Sequence, residues 1–223
     1  KYAAVFVIPF GLGVGSYYVF SPSPSSSHLA QTIEIPYGSK SKVTLPDGTS
    51  VWLNSGSRLS YQESFGQSDR NVSLDGEAYF EVTKNKEIPF KVHTEELDVK
   101  VLGTKFNFRN YKDDLEAKVC LLEGKVALNT LQKETVLHPN QQALLDKKTG
   151  KLFVSATKAI HSVEWTNDRL YFDEVLLSDI IKELERSYDV KITVADDTLN
   201  TIRFYGNFRK REQSIQEIMN VLS

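Results

Sequence analysis

Cysteine is almost absent from this chain of 223 residues, since Cys120 is the only one. A single cysteine permits no internal disulfide, so no such cross-link within the chain can hold the fold together. The thiol lies in the alternating apolar pattern of residues 117–122, which is typical of a buried, unreactive cysteine. This cysteine content is compatible with either a reducing or an oxidising compartment.

Several patterns that enzymes and nucleic-acid-binding proteins need are also lacking. The four histidines are scattered without the spacing of metal ligands, so we expect no metal site and no bound cofactor. The chain has no Walker loop, no glycine-rich dinucleotide fingerprint and no nucleophile elbow. A net charge of −2 provides no strong field to attract nucleic acid, and we expect no nucleic-acid partner.

One long uncharged stretch is present at residues 2–20, which read YAAVFVIPFGLGVGSYYVF. A membrane-spanning helix needs about 20 such residues to cross the hydrocarbon layer. We therefore predict a transmembrane helix over residues 1–20, with its N-terminus inside because Lys1 precedes it. The SPSPSSS sequence that follows predicts a tether over residues 21–31. Two alternatives stay open: a cleaved signal peptide, or a helix buried in a soluble domain.

Beyond the tether, apolar residues alternate with polar ones along many short segments. Residues 72–82 are an example, with Asp75 and Gly76 interrupting the alternation. Short alternating strands, punctuated by glycine and aspartate, are typical of an all-β sandwich or barrel. The sequence predicts a mainly β domain over residues 32–156 and a linker over residues 157–164.

The pattern changes in residues 165–223. Residues 169–174, 190–194 and 201–208 read as strands, and two amphipathic segments lie between and after them. The predicted module is small and α+β, with the order β-α-β-β-α.

Two helices complete this module. Ser178 is expected to cap the first, whose apolar stripe faces inward while Glu183 faces solvent, and Ser214 is expected to start the second. A module of this order usually closes with a further strand, and the chain begins with Lys1 rather than methionine. We therefore expect it to be part of a longer protein.

Five motifs occur in order within residues 43–126: VTLPDGTSVWLNSGSRL, LDGEAYFEV, PFKVHT, VLGTKFNF and LLEGKV. Together they resemble the periplasmic region of FecR-type anti-sigma factors. The region after Trp165, with its RLYFD segment, is similar to the C-terminal module of the same family. That module is in turn similar to the short secretin and TonB N-terminal (STN) domain.

The resemblance implies a single-pass regulator of the inner membrane of Gram-negative cells, with its soluble part in the periplasm. A cytoplasmic domain before Lys1 would bind an extracytoplasmic-function sigma factor. The periplasmic part would contact the N-terminal signalling domain of a TonB-dependent outer-membrane transducer. Arrival of an external ligand would lead site proteases to cleave the regulator and release the sigma factor.

The resemblance also suggests a self-cleavage site, because some family members are cut between the Gly and Thr that correspond to Gly103 and Thr104. In the proposed N-to-O acyl shift, the Thr104 hydroxyl attacks the Gly103 carbonyl and water hydrolyses the ester. The alternative is that Gly103 marks a β-bulge and Thr104 is an ordinary strand residue.

Candidate partner-binding residues lie in the strand predicted over residues 201–208. A sheet without its closing strand leaves backbone groups open at an edge, where a partner strand can be added. Phe204, Tyr205 and Phe208 are the side chains expected near that contact. Phe204 and Phe208 could instead belong to the core of the module, whereas Tyr205 alternates to the other face.

Two functions from other classes stay open on the residues alone: an envelope hydrolase and a structural β-rich envelope protein. A hydrolase needs a cluster of catalytic side chains, and the carboxylates here are spread over turns and solvent-facing positions. The mixed α+β tail argues against a purely structural sheet protein.

Overall fold

The structure is a computed structural model that describes residues 30–130 and 133–222. This part of the chain is mainly β, with thirteen strands in one connected sheet and two strands in a second sheet. The strands of the first sheet are β1 (Ala30–Glu34), β2 (Ser41–Thr44), β3 (Ser50–Leu53), β4 (Arg58–Gln62), β5 (Arg70–Glu81), β6 (Phe90–His93), β7 (Asp98–Val101), β8 (Lys105–Asn110), β9 (Glu116–Glu123), β10 (Val126–Asn129), β11 (Glu134–Leu137), β12 (Gln141–Asp146) and β13 (Leu152–Ala156). We call residues 30–156 the β domain.

We call residues 168–222 the C-terminal module. A connector helix precedes it, and the remaining elements are as follows. They are the connector helix, a 3-10 helix at Ala159–Asn167, then β14 (Arg169–Leu176), α1 (Leu177–Tyr188), a short 3-10 helix (Asp197–Thr201), β15 (Arg203–Arg209) and α2 (Ile215–Leu222).

The long strand β5 joins the two halves of the large sheet. Its first half pairs with β4 and β6, and its second half pairs with β3 and β8. The change of partners falls at Gly76, whose φ is 120°, and a Cβ there would lie 2.6 Å from the Cα of Ser57. Only glycine avoids that clash. The two halves face each other in a barrel-like arrangement, which confirms the predicted fold of this region.

The core of the β domain fills the space between the two halves. Phe80, Phe90 and Phe106 are fully buried there, with ring centroids 5.8 Å apart for the first pair and 4.9 Å apart for Phe80 and Phe106. Side chains at an odd number of positions from Phe80 along β5, such as Glu77 and Tyr79, point to the opposite face. Because side chains alternate along each strand, this half of the sheet has a second, outer face, and other elements must pack on that face to bury it.

The C-terminal module has a separate core. β14 and β15 pair antiparallel, and α1 and α2 pack on one face of that pair. The buried residues of this core are Leu170, Phe172, Ile180, Leu184, Phe208 and Ile218. α2 begins as predicted, because the Ser214 hydroxyl accepts from the Glu217 amide at 3.3 Å and the Ser214 amide donates to the Glu217 carboxylate at 2.6 Å.

The predicted order β-α-β-β-α is wrong at one element, because residues 190–194 form no strand among the described residues. The alternation there reflects burial of one face, with Ile192 packed against the module core. Alternation does not supply a pairing partner, and the Ile192 amide donates instead to the Glu185 carboxylate at 2.9 Å. Ser178 is also not a cap: α1 begins at Leu177, and Leu176 in the cap position makes no side-chain capping bond.

Within residues 30–130 and 133–222, no helix is both long enough and apolar enough to cross a membrane. The transmembrane helix predicted over residues 1–20 lies outside the described residues, as does most of the predicted tether. β1 begins at Ala30, so the last two residues of that tether belong to a strand. The sequence predicted a β domain at residues 32–156, a linker at 157–164 and a module at 165–223. That these are independently folding units stays a prediction.

Candidate functional site

The connector helix covers the outer face of the sheet half that contains β3, β5, β8 and β9. Val163 and Trp165 pack against Tyr79 of β5 in a small apolar cluster. The Trp165 indole nitrogen also donates to the Asn107 side-chain oxygen of β8 at 3.3 Å. This helix brings the C-terminal module against the β domain.

Charged side chains are buried or half-buried where α1 meets the β domain. Glu77 of β5, Arg109 of β8 and Asp114 of the β8–β9 turn come from one side, and Glu183 and Arg186 come from α1. We call these five residues the interface charge cluster. Three carboxylates and two guanidinium groups therefore meet in a region that excludes most water.

Arg109 lies at the centre of this cluster and contacts all three carboxylates. Its Nε donates to Asp114 Oδ2 at 2.9 Å, and its Nη1 donates to Glu183 and lies 3.7 Å from Glu77 Oε2. These pairs hold the pKa of Arg109 well above its ordinary value even though burial alone would lower it. The guanidinium therefore stays charged and gives the buried carboxylates a permanent counter-charge.

Arg186 connects α1 to the β8–β9 turn. Its Nη2 donates to Asp114 Oδ1 at 2.6 Å and to Asp113 Oδ1 at 2.8 Å. The guanidinium also lies 3.8 Å from the centroid of the Tyr111 ring. The side chain is only 3% exposed, so nearly all of its interactions are with protein.

Two of the carboxylates, Glu77 and Asp114, have pKa values shifted in opposite directions. Burial raises the pKa of Glu77; the charge of Arg109 opposes that rise, and the charge of Glu183 adds to it. The Asn54 and Asn107 side chains donate to the Glu77 carboxylate at 2.9 and 2.8 Å. Burial alone would also raise the pKa of Asp114, but its two arginine partners outweigh burial and hold that pKa below 3.8.

A second group of contacts fixes the module from the loop between β1 and β2. Lys40 Nζ donates to the carbonyls of Trp165 and Thr166 at 2.9 and 2.8 Å and lies 2.6 Å from Asp168 Oδ1. The Gly38 amide donates to the Arg186 carbonyl at 2.8 Å. The β1–β2 loop thus holds the C-terminal end of the connector helix and the end of α1.

The predicted cleavage site lies in the short connection between β7 and β8. This connection passes from one half of the large sheet to the other. Gly103 has a φ of 154°, and a Cβ there would lie 2.7 Å from the Cα of Lys84. Thr104 is buried, and its hydroxyl donates to the Lys125 carbonyl at 3.0 Å. Among the described residues, no carboxylate or imidazole is hydrogen-bonded to this hydroxyl. The pair directly precedes β8, the Thr104 carbonyl accepts from the Val82 amide of the segment after β5 at 3.0 Å, and the register of β8 against β9 shifts between Lys105 and Phe106. Both the cleavage site and the β-bulge stay predictions.

The three predicted partner-binding residues divide between two faces of β15. Phe208 is buried in the module core, and Phe204 is partly buried against it. Tyr205 is 66% exposed on the other face. The structure does not bring these residues near the predicted cleavage site, which belongs to the β domain, and their role in binding stays a prediction.

Sequence reasoning missed the interface charge cluster. Glu183 was expected to face solvent, which is wrong, because its side chain is only 9% exposed. The apolar stripe of α1 faces the module core, and the polar face with Glu183, Arg186 and Ser187 is covered by the β domain. The spacing of these polar residues on one helix face was a signal, but only a neighbouring unit could show that the face is buried.

Comparisons with known proteins agree with this two-part organisation. The family model for FecR protein matches residues 31–127, and the model described as FecR, C-terminal, matches residues 169–223. No curated protein matches the chain.

Two crystal structures of a candidate anti-sigma factor from Parabacteroides distasonis ATCC 8503, at 1.65 and 2.50 Å resolution, are also similar. Each is 32% identical, with TM-scores of 0.81 and 0.82. They cover 86% and 87% of this chain and 90% of theirs, so each superposition spans the β domain and the module together. The chain belongs to the FecR family of anti-sigma factors.

The contacts of the interface charge cluster predict how Asp114 contributes to stability. Asp114→Asn should lower the free energy of unfolding by about 2 kcal/mol at pH 7, since two arginines lose a charged acceptor. The depressed pKa of Asp114 means that this stabilisation is complete above its ordinary value of 3.8 and is lost as pH falls through the folded-state value. Urea unfolding should therefore show a smaller difference from the parent protein in acid.

Asp113→Asn is the matched control, because Asp113 also accepts from Arg186 but its side chain is 64% exposed. Solvent screens such a pair, so we expect a change below about 0.5 kcal/mol. Equal losses from the two variants would show that burial does not determine the strength of the Asp114 contacts.

Proposed function

We propose that this chain is the periplasmic part of a single-pass inner-membrane regulator that transmits a signal to an extracytoplasmic-function sigma factor. One observation supports this above the others: FecR family models match both the β domain and the C-terminal module. The uncharged run at residues 2–20 supports the membrane anchor. The sigma factor would bind a domain before Lys1.

The partner on the periplasmic side would be the N-terminal signalling domain of a TonB-dependent outer-membrane transducer. The C-terminal module is the part suited to receive it, because within residues 30–130 and 133–222 its sheet has two strands, β14 and β15. Such a sheet leaves hydrogen-bonding groups at its edges for a strand from a partner. Tyr205 adds an exposed aromatic side chain to this surface. Binding would then expose the regulator to site proteases and release the sigma factor.

The hydrolase alternative has less support. The largest network of linked ion pairs in the described residues contains the interface charge cluster, and the carboxylates of that cluster are bonded to arginine or asparagine. Buried ion pairs of this kind are typical of a structural contact, since a catalytic carboxylate has to face its substrate.

The anchor and orientation can be tested with reporters. Alkaline phosphatase fused after Ser27 should be active, because that enzyme matures only outside the cytoplasm, and a fluorescent protein that fails to fold after export should be dark at the same position. Envelope extracts of the same cells should yield a sigma factor and an outer-membrane transducer with the full-length protein. A bright fluorescent fusion with an inactive phosphatase would reject the periplasmic location.

The docking role of the module can be tested at Tyr205. Tyr205→Asp should weaken binding of the transducer signalling domain at least about tenfold, since a charge replaces an aromatic contact at the interface. Binding would be measured by calorimetry, with circular dichroism to show that the fold is intact. Phe153→Asp is the matched control, because this exposed aromatic residue lies on β13 of the β domain. Equal losses of affinity in both variants, or no loss in Tyr205→Asp, would show that the docking site lies elsewhere.

Self-cleavage would add a step before the site proteases act. If the acyl shift occurs, purified protein should separate into two fragments under denaturing conditions, cut after Gly103, that stay associated under native conditions. They would stay together because β8 pairs with β5 and β10 pairs with β7 across the cut. Thr104→Ala should stay intact by mass spectrometry, whereas Thr104→Ser keeps the hydroxyl and should still be cut. Intact mass of the parent protein after prolonged incubation would reject self-cleavage.

A further inference from the structure

The β domain and the C-terminal module have separate hydrophobic cores. The first lies between the two halves of the large sheet, and the second lies between the β14–β15 pair and the two α-helices. Neither core includes a residue of the other unit. Separation of the two units would therefore expose neither hydrophobic core to solvent.

The surface between them is mostly polar. Its apolar part is the small cluster in which Val163 and Trp165 of the connector helix contact Tyr79. The direct contacts of α1 with the β domain are polar or charged. They include the ion pairs of the interface charge cluster, the bond from Lys182 Nζ to the Asp113 carbonyl and the bond from the Gly38 amide to the Arg186 carbonyl. Interfaces of this polar kind between domains commonly permit relative motion.

We propose that the interface charge cluster is a latch, which holds the module docked in one orientation and opens without unfolding either unit. Buried charges suit this role because their desolvation cost is present only while the units are docked. On separation each charge regains water, so the open state is accessible. While the units are docked, removal of one partner leaves another charge buried without compensation, and docking is lost. This inference does not depend on the identity of any partner.

Arg186 is the side chain on which the latch depends most. Both of its ion pairs, with Asp113 and Asp114, cross from α1 to the β8–β9 turn. It takes no part in the core of the module, whose buried α1 members are Ile180 and Leu184. Its replacement therefore weakens docking while leaving the module core unchanged.

The single cysteine provides a native reporter of docking. Cys120 of β9 is 1% exposed on the same outer face as Asn107, its pairing partner in β8. The Ser162 side chain of the connector helix contacts it, and burial raises the pKa of the thiol. Lifting the connector helix and module would uncover the thiol and bring its pKa back toward the ordinary value. A thiol reagent such as Ellman's reagent would then react.

The test compares the rate of Cys120 modification in the 223-residue chain under native conditions. Arg186→Met keeps a similar side-chain length but removes the charge, and we expect the rate to rise at least about tenfold. Arg186→Lys keeps the charge without the forked geometry and should give an intermediate rate. Arg209→Met is the matched control, because Arg209 is exposed and pairs with Glu212 inside the module. Its rate should equal that of the parent.

Near-ultraviolet circular dichroism and thermal unfolding of each variant show whether the units are still folded. A faster reaction of Arg186→Met with a retained aromatic signal supports the latch. A rate within twofold of the parent in a folded Arg186→Met variant would overturn it. The inference would also fail if Cys120 became reactive only together with loss of the whole folded signal, because the two units would then unfold as one.

Discussion

The guanidinium group of Arg109 is the interaction on which the two-part structure depends. It contacts one carboxylate from β5, one from the β8–β9 turn and one from α1. Without this permanent positive charge, Glu77 and Glu183 would repel each other in a region that excludes water. Arg109 therefore makes it possible for a helix with a charged face to pack on a sheet.

A second constraint comes from β5 and β8, which are buried on both faces. Their inner side chains fill the aromatic core of the β domain, and their outer side chains bind the connector helix and α1. Such strands contain polar residues at positions that a simple alternating pattern would assign to solvent. In this protein those polar positions are the docking surface for the module.

The strand β8 lies between the predicted cleavage site and the interface charge cluster. β8 begins immediately after Thr104 and contains Arg109 near its other end. The exposed face of β15 lies in the module, opposite the face that packs against the module core. The module and the β domain contact each other through the connector helix, the loop around Lys40 and this cluster.

Local sequence determined the elements whose cause is itself local. The alternation in residues 72–82 identified a strand because each face has its own environment, and the Ser214 cap followed from side-chain hydrogen bonds within one turn. The motifs within residues 43–126 were enough to indicate the FecR family. Alternation also misled at residues 190–194, because it reports burial and not the presence of a pairing strand.

Tertiary structure decided what covers each surface. Glu183 and Arg186 resemble ordinary solvent-facing helix residues in the sequence, and they are buried only because the connector helix brings α1 against β8. Asp113 and Asp114 are adjacent, yet one is exposed and the other is enclosed between two arginines. The pKa of a carboxylate depends on desolvation and on charges within a few ångströms, and most of those charges come from residues distant in the chain.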